Sequence, residues 1–240
     1  MTDTHSHILF NIDDGSNNIE ESIAILKEMA EVGFKHVILT PHYIEGTEYS
    51  APNEEKDIRF ALLEKRIKEE NLDITIHLGN EIFLHNNLIA SIEGAKCYGL
   101  NKSNYLLVEL PFHNQIRGLI DILYEFKVKG YTPIIAHPER YTYLQDNPDL
   151  VDKLKEEGTL FQCNYSSILG YYRKDAERLI KYMLKKHYVD YLGTDIHHIN
   201  KAFVLDNFAK IKKTIIKITG DEYFNEIMEN CSNLIKEWRS

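Results

Sequence analysis

Strand-like and helix-like segments alternate along the chain, and this alternation predicts an α/β fold with a parallel sheet and helices outside it. Two further observations favour a closed barrel of seven strands. The 240 residues suit one domain of barrel or doubly wound type better than two small ones, so 1–240 is read as a single domain. In addition, His, Glu and Asp residues stand at or just past the ends of six of the seven predicted strands. An open doubly wound sheet gathers ligands at one crevice, whereas a barrel brings every strand end to one rim.

The first strand is short, over 3–5. A helix is predicted over 17–32, with Ile19, Ile23, Leu26 and Ala30 on one face and Gly33 in the stop position. The run H-V-I-L-T at 36–40 is the second strand, cut off by Pro41. A charged amphipathic helix over 54–70 precedes the third strand at 74–79. Y-L-L-V-E-L at 105–110 is the fourth, ended by Pro111. Helices over 115–129, 148–157 and 175–186 lead to strands at 133–136, 160–163 and 188–193. Helices over 201–218 and 221–238 finish the chain.

Hydrophobic residues make up 43% and charged residues 27%, which gives enough apolar content for a sizeable core. The net charge of -9 argues against nucleic acid as a partner. It leaves a phosphate-bearing substrate open, because bound metals reverse the sign locally. Cys97, Cys163 and Cys231 lack CxxC spacing and read as reduced thiols packed in the core of a cytoplasmic protein. No apolar run approaches the ~18 residues of a membrane span, so no membrane insertion is expected. The polar start T-D-T-H-S-H gives no sign of a signal peptide.

The residues that carry chemistry are His5, His7, His42, Glu81, Glu109, His137, Asp195 and His197. They exceed what one ion takes; about four to six ligands per ion suits two or three metals, as used in phosphate-ester hydrolysis. His5 and His7, two apart on an extended strand, face the same side and can share an ion; the plain alternative is a surface pair. Glu81 and Glu109 follow apolar runs expected to be buried, where a metal is a natural counter-charge; the alternative is salt-bridged rim acids. His137 precedes Pro138, so an extended backbone is expected there. Asp14, in D-D-G, reads both as a ligand and as a turn residue. His36 and His77 read as core or rim residues, and His85, His113, His187 and His198 as solvent-facing, with His198 beside a ligand. Tyr141, Tyr143, Tyr165, Tyr171 and Tyr172 either wall a pocket for an aromatic group or simply pack.

D-T-H-S-H-I-L-F-N-I-D-D-G-S at 3–16, T-P-H at 40–42, G-N-E at 79–81, V-E-L-P at 108–111, A-H-P-E-R-Y at 136–141 and T-D-I-H at 194–197 occur in that order. The set resembles the polymerase-and-histidinol-phosphatase (PHP) family, and within it the metal-dependent tyrosine phosphatases of capsule operons. The resemblance covers almost everything to about residue 200. It implies a distorted (β/α)7 TIM-like barrel and two to three divalent ions, with Mn2+ first and Fe or Zn as alternatives. It implies hydrolysis of phosphotyrosine, notably on the tyrosine autokinase that regulates polysaccharide export. By position it implies one metal held by His5, His7, Glu81 and Asp195, and a second by Glu81, Glu109 and His137, with Glu81 bridging. A third would be held by Asp14, His42 and His197. Catalysis would rest on Glu81, Asp195 and Arg140, the last matching a phosphate-binding arginine. The family's second such arginine has no clear match in H-H-I-N-K-A-F, which leaves Lys201 as a stand-in without the bidentate fork.

In the mechanism this implies, a hydroxide bridging two ions forms near neutral pH, because the cations lower the pKa of water from ~15.7 to about 7. It attacks phosphorus in line while the third metal and Arg140 neutralise the phosphoryl oxygens. A tyrosyl leaving group, with a pKa of about 10, needs less protonation than an alkoxide. No C-x5-R loop is present, since N-Y-S-S-I follows Cys163. Rival readings are a small-metabolite phosphatase of the histidinol-phosphatase kind, a nucleotide phosphoesterase and a non-catalytic metal-binding PHP module. An amidohydrolase would typically carry a carbamylated lysine where Glu109 stands.

Overall fold

The computed structural model describes residues 1–85, 88–201, with the backbone alone at Lys201, and 203–236. Strand and helix alternate as the patterning requires: β1 (Thr2–Ser6), α1 (Ile19–Glu31), β2 (His36–Leu39), β3 (His42–Tyr43), α2 (Asn53–Glu69), β4 (Thr75–Leu78) and β5 (Glu81–Phe83) form the first half. After α3 (Leu88–Glu93) come β6 (Tyr105–Glu109), α4 (Leu119–Val128), β7 (Thr132–Ala136), α5 (Thr142–Asp146), α6 (Asp149–Glu156) and β8 (Leu160–Asn164). The chain continues through α7 (Arg173–Lys185), β9 (Tyr191–Gly193), α8 (Phe203–Asp206) and α9 (Phe208–Asn233). The strands pair in parallel as β1-β2-β4 and as β3-β5-β6-β7-β8-β9, forming a curled parallel sheet with helices around it.

Two predicted strands end where expected but resume after a short break, the second across Thr40–Pro41 and the third across Gly79–Asn80. Pro41 has no N–H to give to a ladder. Asn80 spans the gap: its Nδ2 donates to the Pro41 carbonyl at 2.8 Å, and the Glu81 N–H is shared between the Thr40 and Pro41 carbonyls at 3.3 Å each. The step sets His42 beside Glu81 in the larger sheet. It is backed by Lys56, which is fully buried in α2 and donates from Nζ to Asn80 Oδ1 at 2.8 Å. The last strand meets the first where Asp195 N–H donates to the His5 carbonyl and His7 N–H to the Ile196 carbonyl, each at 2.8 Å.

The core lies between the strands and the helices' inner faces. Val37, Ile38, Leu106, Leu107, Ile134, Ile135, Phe161 and Leu192 are fully buried, against Leu26, Met29, Phe126, Ile180, Met183, Ile211 and Ile227. All three cysteines are buried and free. Asn18 caps α1 by accepting the Glu21 N–H at 2.9 Å. Element ends differ from expectation where backbone conformation intervenes. The helix expected over 115–129 starts only at Leu119, because Gly118 holds φ +68. The strand expected over 188–193 starts at Tyr191, after His187 turns through φ 58 and Tyr188 N–H closes α7 on Met183. The helix expected over 201–218 begins as α8 and passes into α9, which bends at Gly220. Positions 237 and 238 of the last predicted helix lie outside the described residues. No helix among the described residues is long and apolar enough to cross a membrane.

Candidate metal centre

The predicted ligands lie at or just past the C-terminal ends of β1, β6, β7 and β9 and at the first residues of β3 and β5, just after the breaks, and the parallel sheet brings them to one rim. Glu81 is central. Its Oε1 is 2.7 Å from His137 Nε2, and its Oε2 is 3.3 Å from both His5 Nε2 and His7 Nε2 and 3.1 Å from His42 Nδ1. Asp195 Oδ1 lies 3.6 Å from the same two Nε2 atoms. Glu109 stands 3.8 Å from His137 and 3.9 Å from His42. Asp14 Oδ1 is 3.7 Å from both His42 Nε2 and His197 Nε2. All nine ligand-type residues therefore converge, including Asp14, which is half exposed while His5, His7, Glu81 and His137 are buried.

One local expectation fails. His137 is not extended before Pro138; it sits at φ 32, ψ 54, because the next residues wind into a 3-10 turn, Pro138–Arg140, closed by Arg140 N–H on the His137 carbonyl at 2.9 Å. Asp195 likewise holds φ 53. Left-handed backbone at such residues costs about 1–3 kcal/mol each and persists where the surroundings enforce it. At Asp195 the enforcing contacts are the bond to His5 and the pair below.

Hydrogen bonds decide which nitrogens face inward. His7 Nδ1 lies 2.7 Å from Asp13 Oδ2, and His5 Nδ1 lies 2.8 Å from Gln162 Oε1. Gln162 Nε2 donates to the Cys163 carbonyl and to Asn164 Oδ1, so its Oε1 is the acceptor. Both Nδ1 atoms are thus donors, and in the neutral rings both Nε2 atoms carry lone pairs. Those two lone pairs face each other at 3.1 Å. His42 Nδ1 and His137 Nδ1 are buried without a hydrogen-bond partner, although His42 Nδ1 lies close to Glu81. Opposed lone pairs beside buried carboxylates are what a cation resolves, and the nitrogen and oxygen donors suit a borderline divalent ion. The residues present fit a metal centre.

The electrostatics agree. Burial, and then the Glu81 charge, push the Glu109 carboxyl up to about 8. Burial, followed by Arg140, pulls His137 down to about 4, and burial followed by His7 does the same to His197. Burial opposes ionisation of Glu81, yet His5 and the other imidazoles hold it well below the usual carboxylate range. Protons and cations compete for such a set.

Arg140 stands at the edge, its NH1 2.7 Å from Asp195 Oδ2 and its guanidinium over the rings of Phe112 (4.9 Å) and Tyr172 (4.3 Å). A cavity of about 220 Å³ opens beside it, lined by Tyr171, Tyr172, Phe203, His197, Asp14 and Asp195. Tyr171 and Tyr172 thus meet the pocket expectation. Tyr141 instead ties β6 to β7, accepting from the Leu110 N–H at 2.9 Å and donating to the Ala136 carbonyl at 2.8 Å. Tyr165 packs on Phe34 and Phe208. The Lys201 side chain lies outside the described residues. His113 and His187 are exposed as expected, but His198 is half-buried, 3.2 Å from Glu21 Oε1. His36 and His77 satisfy each other at 3.2 Å.

Sequence reasoning missed Asp13, Gln162, Asn164 and Phe112. Asp13 in D-D-G reads as a turn residue, and it does also accept the Gly15 N–H at 3.0 Å. The available signal for Gln162 and Asn164 was two amides at alternate positions in L-F-Q-C-N, an apolar strand with polar residues on one face.

The comparisons with known proteins point the same way. The tyrosine-protein phosphatase CpsB of Streptococcus pneumoniae is 31% identical over 205 residues, 83% of this chain and 84% of that protein. The tyrosine-protein phosphatase YwqE of Bacillus subtilis is 29% identical over 201 residues, 83% of this chain and 78% of that protein. A solved structure described with YwqE and CpsB as "unique metal-dependent tyrosine phosphatases" superposes at TM-score 0.90 and 27% identity, covering 98% of this chain and 94% of that one. With residues 1–236 matching the family described as "Capsular polysaccharide synthesis, CpsB/CapC", the chain belongs to the CpsB/CapC family.

Proposed function

We propose that this chain is a metal-dependent protein-tyrosine phosphatase acting on phosphotyrosine of a tyrosine autokinase in polysaccharide biosynthesis. The observation that carries the reading is the facing pair of His5 and His7 Nε2 atoms at 3.1 Å, ringed by Glu81 and Asp195. The family's place in capsular polysaccharide synthesis supports the kind of substrate protein. The site would take two to three divalent ions, Mn2+ first. His5, His7, Glu81 and Asp195 would hold one, Glu81, Glu109 and His137 a second, and Asp14, His42 and His197 a third. Three overlapping groups of close donor atoms support the core of this division, though Asp195 and His137 fall in none of them: His5, His7 and Glu81; His42, Glu81 and Glu109; His7, Asp14, His42 and His197. They also make His7 and His42 shared neighbours of two sites. When bound, such ions supply a nucleophile at neutral pH by lowering the pKa of water to about 7, and they polarise phosphoryl oxygens.

The chain's own residues do the rest. Arg140 lies over the rings of Phe112 and Tyr172 and is anchored through NH1, so its fork is preorganised for non-bridging oxygens. Tyr171, Tyr172 and Phe203 offer aromatic walls to a phenyl ring and keep water from it. The phenolate leaves with a pKa of about 10, so modest proton donation suffices.

We also read residues 1–240 as one domain and the sheet as a distorted (β/α)7 barrel. Joining β2 to β3 and β4 to β5 across their breaks leaves seven parallel strands, and the His5–Asp195 and His7–Ile196 bonds support closure.

The test is phosphate release from a phosphotyrosine peptide, phosphoserine peptide and histidinol phosphate, with Mn2+ and after chelation, alongside elemental analysis. The expected result is Mn2+-dependent preference for phosphotyrosine and two or three ions per chain. Histidinol phosphate as the better substrate by tenfold, about 1.4 kcal/mol in transition-state terms, would replace this reading with a small-metabolite phosphatase.

A further inference from the structure

Among the seven strand positions of the rim, β8 is the one that offers no metal ligand, yet Gln162 and Asn164 on it are both fully buried and both face the site. We infer that Gln162 and Asn164 are a positioning pair, a one-way amide relay that fixes His5 for metal binding and couples it to Asp195 and Arg140.

The direction of the relay is set by its ends. Gln162 Nε2 donates to the Cys163 carbonyl at 2.9 Å and to Asn164 Oδ1 at 3.0 Å. Its Oε1 must then accept from His5 Nδ1 at 2.8 Å, which leaves the lone pair on Nε2, facing inward. Since Asn164 Oδ1 already accepts, its Nδ2 donates to Asp195 Oδ2 at 2.7 Å. Arg140 NH1, at 2.7 Å, and the Tyr172 hydroxyl, at 3.2 Å, donate to the same oxygen. Asp195 is thereby split: Oδ2 is saturated on the Arg140 side, and Oδ1 is turned to His5 and His7. Reversing either amide would set N–H against N–H at His5 or oxygen against oxygen at Asp195. The frame around the relay is rigid. The Asn164 N–H donates to buried Glu139 at 2.8 Å, and a Cβ on Gly193 would come within 2.8 Å of Gln162 Nε2 and 2.6 Å of the His5 Cβ.

This inference rests on the metal-centre reading, and the experiment separates the two. Mn2+ affinity by chelator competition, melting temperature, and kcat and KM on a phosphotyrosine peptide at saturating Mn2+ are measured for wild type, Gln162→Leu, Gln162→Glu and Asn164→Asp. Orienting partners of this kind are worth about 10–100-fold in metal affinity, and Gln162→Leu should lose that much. Gln162→Glu keeps an acceptor for His5 and should restore Mn2+ affinity to within about threefold of wild type, but, having lost the donor to Asn164, not kcat. Asn164→Asp, isosteric, should lower kcat about tenfold or more with little change in KM. A Gln162→Leu protein that melts lower but binds Mn2+ as wild type does, or a Gln162→Glu protein as weak as Gln162→Leu, would overturn the relay. Should Gln162→Leu not fold, the two isosteric variants decide alone: unchanged kcat in both overturns it. Absence of Mn2+ binding by the wild type would overturn the metal-centre reading itself.

Discussion

Glu81→Gln is the sharpest perturbation of the proposed site. One carboxylate touches four imidazole nitrogens: His137 at 2.7 Å, His42 at 3.1 Å, and His5 and His7 at 3.3 Å each. Its two oxygens serve different sides, Oε1 toward His137 and Oε2 toward the other three. The amide keeps the shape and removes the charge, so both proposed ions that share Glu81 lose a ligand. Removing one well-aimed electrostatic contact costs about 10²–10³ in kcat, or about 2.7–4 kcal/mol. Two affected ions make ~10² the floor. The assay titrates Mn2+ into chelator-stripped wild type and variant, follows phosphate release from a phosphotyrosine peptide, and measures bound metal in the same samples. The metal-free variant should melt lower than the metal-free wild type, because the imidazoles that hold Glu81 ionised lose their counter-charge. Turnover within threefold of wild type with a full metal complement would refute the bridging role.

Three other outcomes follow from single contacts. Arg140→Lys should lower kcat/KM for phosphotyrosine while leaving metal content intact, because lysine lacks the planar fork that lies over Phe112 and Tyr172; steady-state kinetics with elemental analysis checks both halves. Gly193→Ala should abolish Mn2+ binding or folding, since its Cβ would sit 2.6 Å from the His5 Cβ in a frame with no room to yield; a variant that melts and binds metal like wild type would contradict the packing. Lys56→Met should stabilise the protein near neutral pH. Burial lowers the Lys56 amine from 10.5 to about 8, equivalent to ~3 kcal/mol at 1.36 kcal/mol per pH unit. The unfolded chain therefore holds this proton more tightly, so wild-type stability rises with pH between about 8 and 10.5. Asn80 Oδ1 keeps the Tyr98 N–H as a donor in the variant. The gain should be largest below pH 8 and fade by pH 10.5 in denaturant unfolding at several pH values.

The rim ligands were legible in the sequence because each depends on a local pattern. A His or carboxylate directly after an apolar run lands at a strand end whatever the rest of the chain does, and six such ends made one face. The orienting groups were not legible in the same way. Gln162 reaches His5 across 157 positions and Asn164 reaches Asp195 across 31. Nothing near either amide says which imidazole or carboxylate it will meet. Lys56 shows the same limit from the other side: in a charged helix it reads as solvated, and only the fold brings Asn80, Tyr43 and Tyr98 around it.

His137 carries the lesson furthest. The residue before a proline is biased toward extended backbone by a clash with the proline ring, and that local rule predicted the wrong conformation. Tertiary contacts outweigh it: Arg140 N–H closes back on the His137 carbonyl, Tyr141 pins Ala136, and His137 Nε2 reaches Glu81 at 2.7 Å. The strained turn also carries Arg140 to Asp195, 55 positions away. One local distortion therefore delivers both a nitrogen toward Glu81 and a guanidinium to the rim, which an extended H-P-E-R segment would splay apart. Identity and order of ligands are local properties of this chain; their aim is a property of the fold.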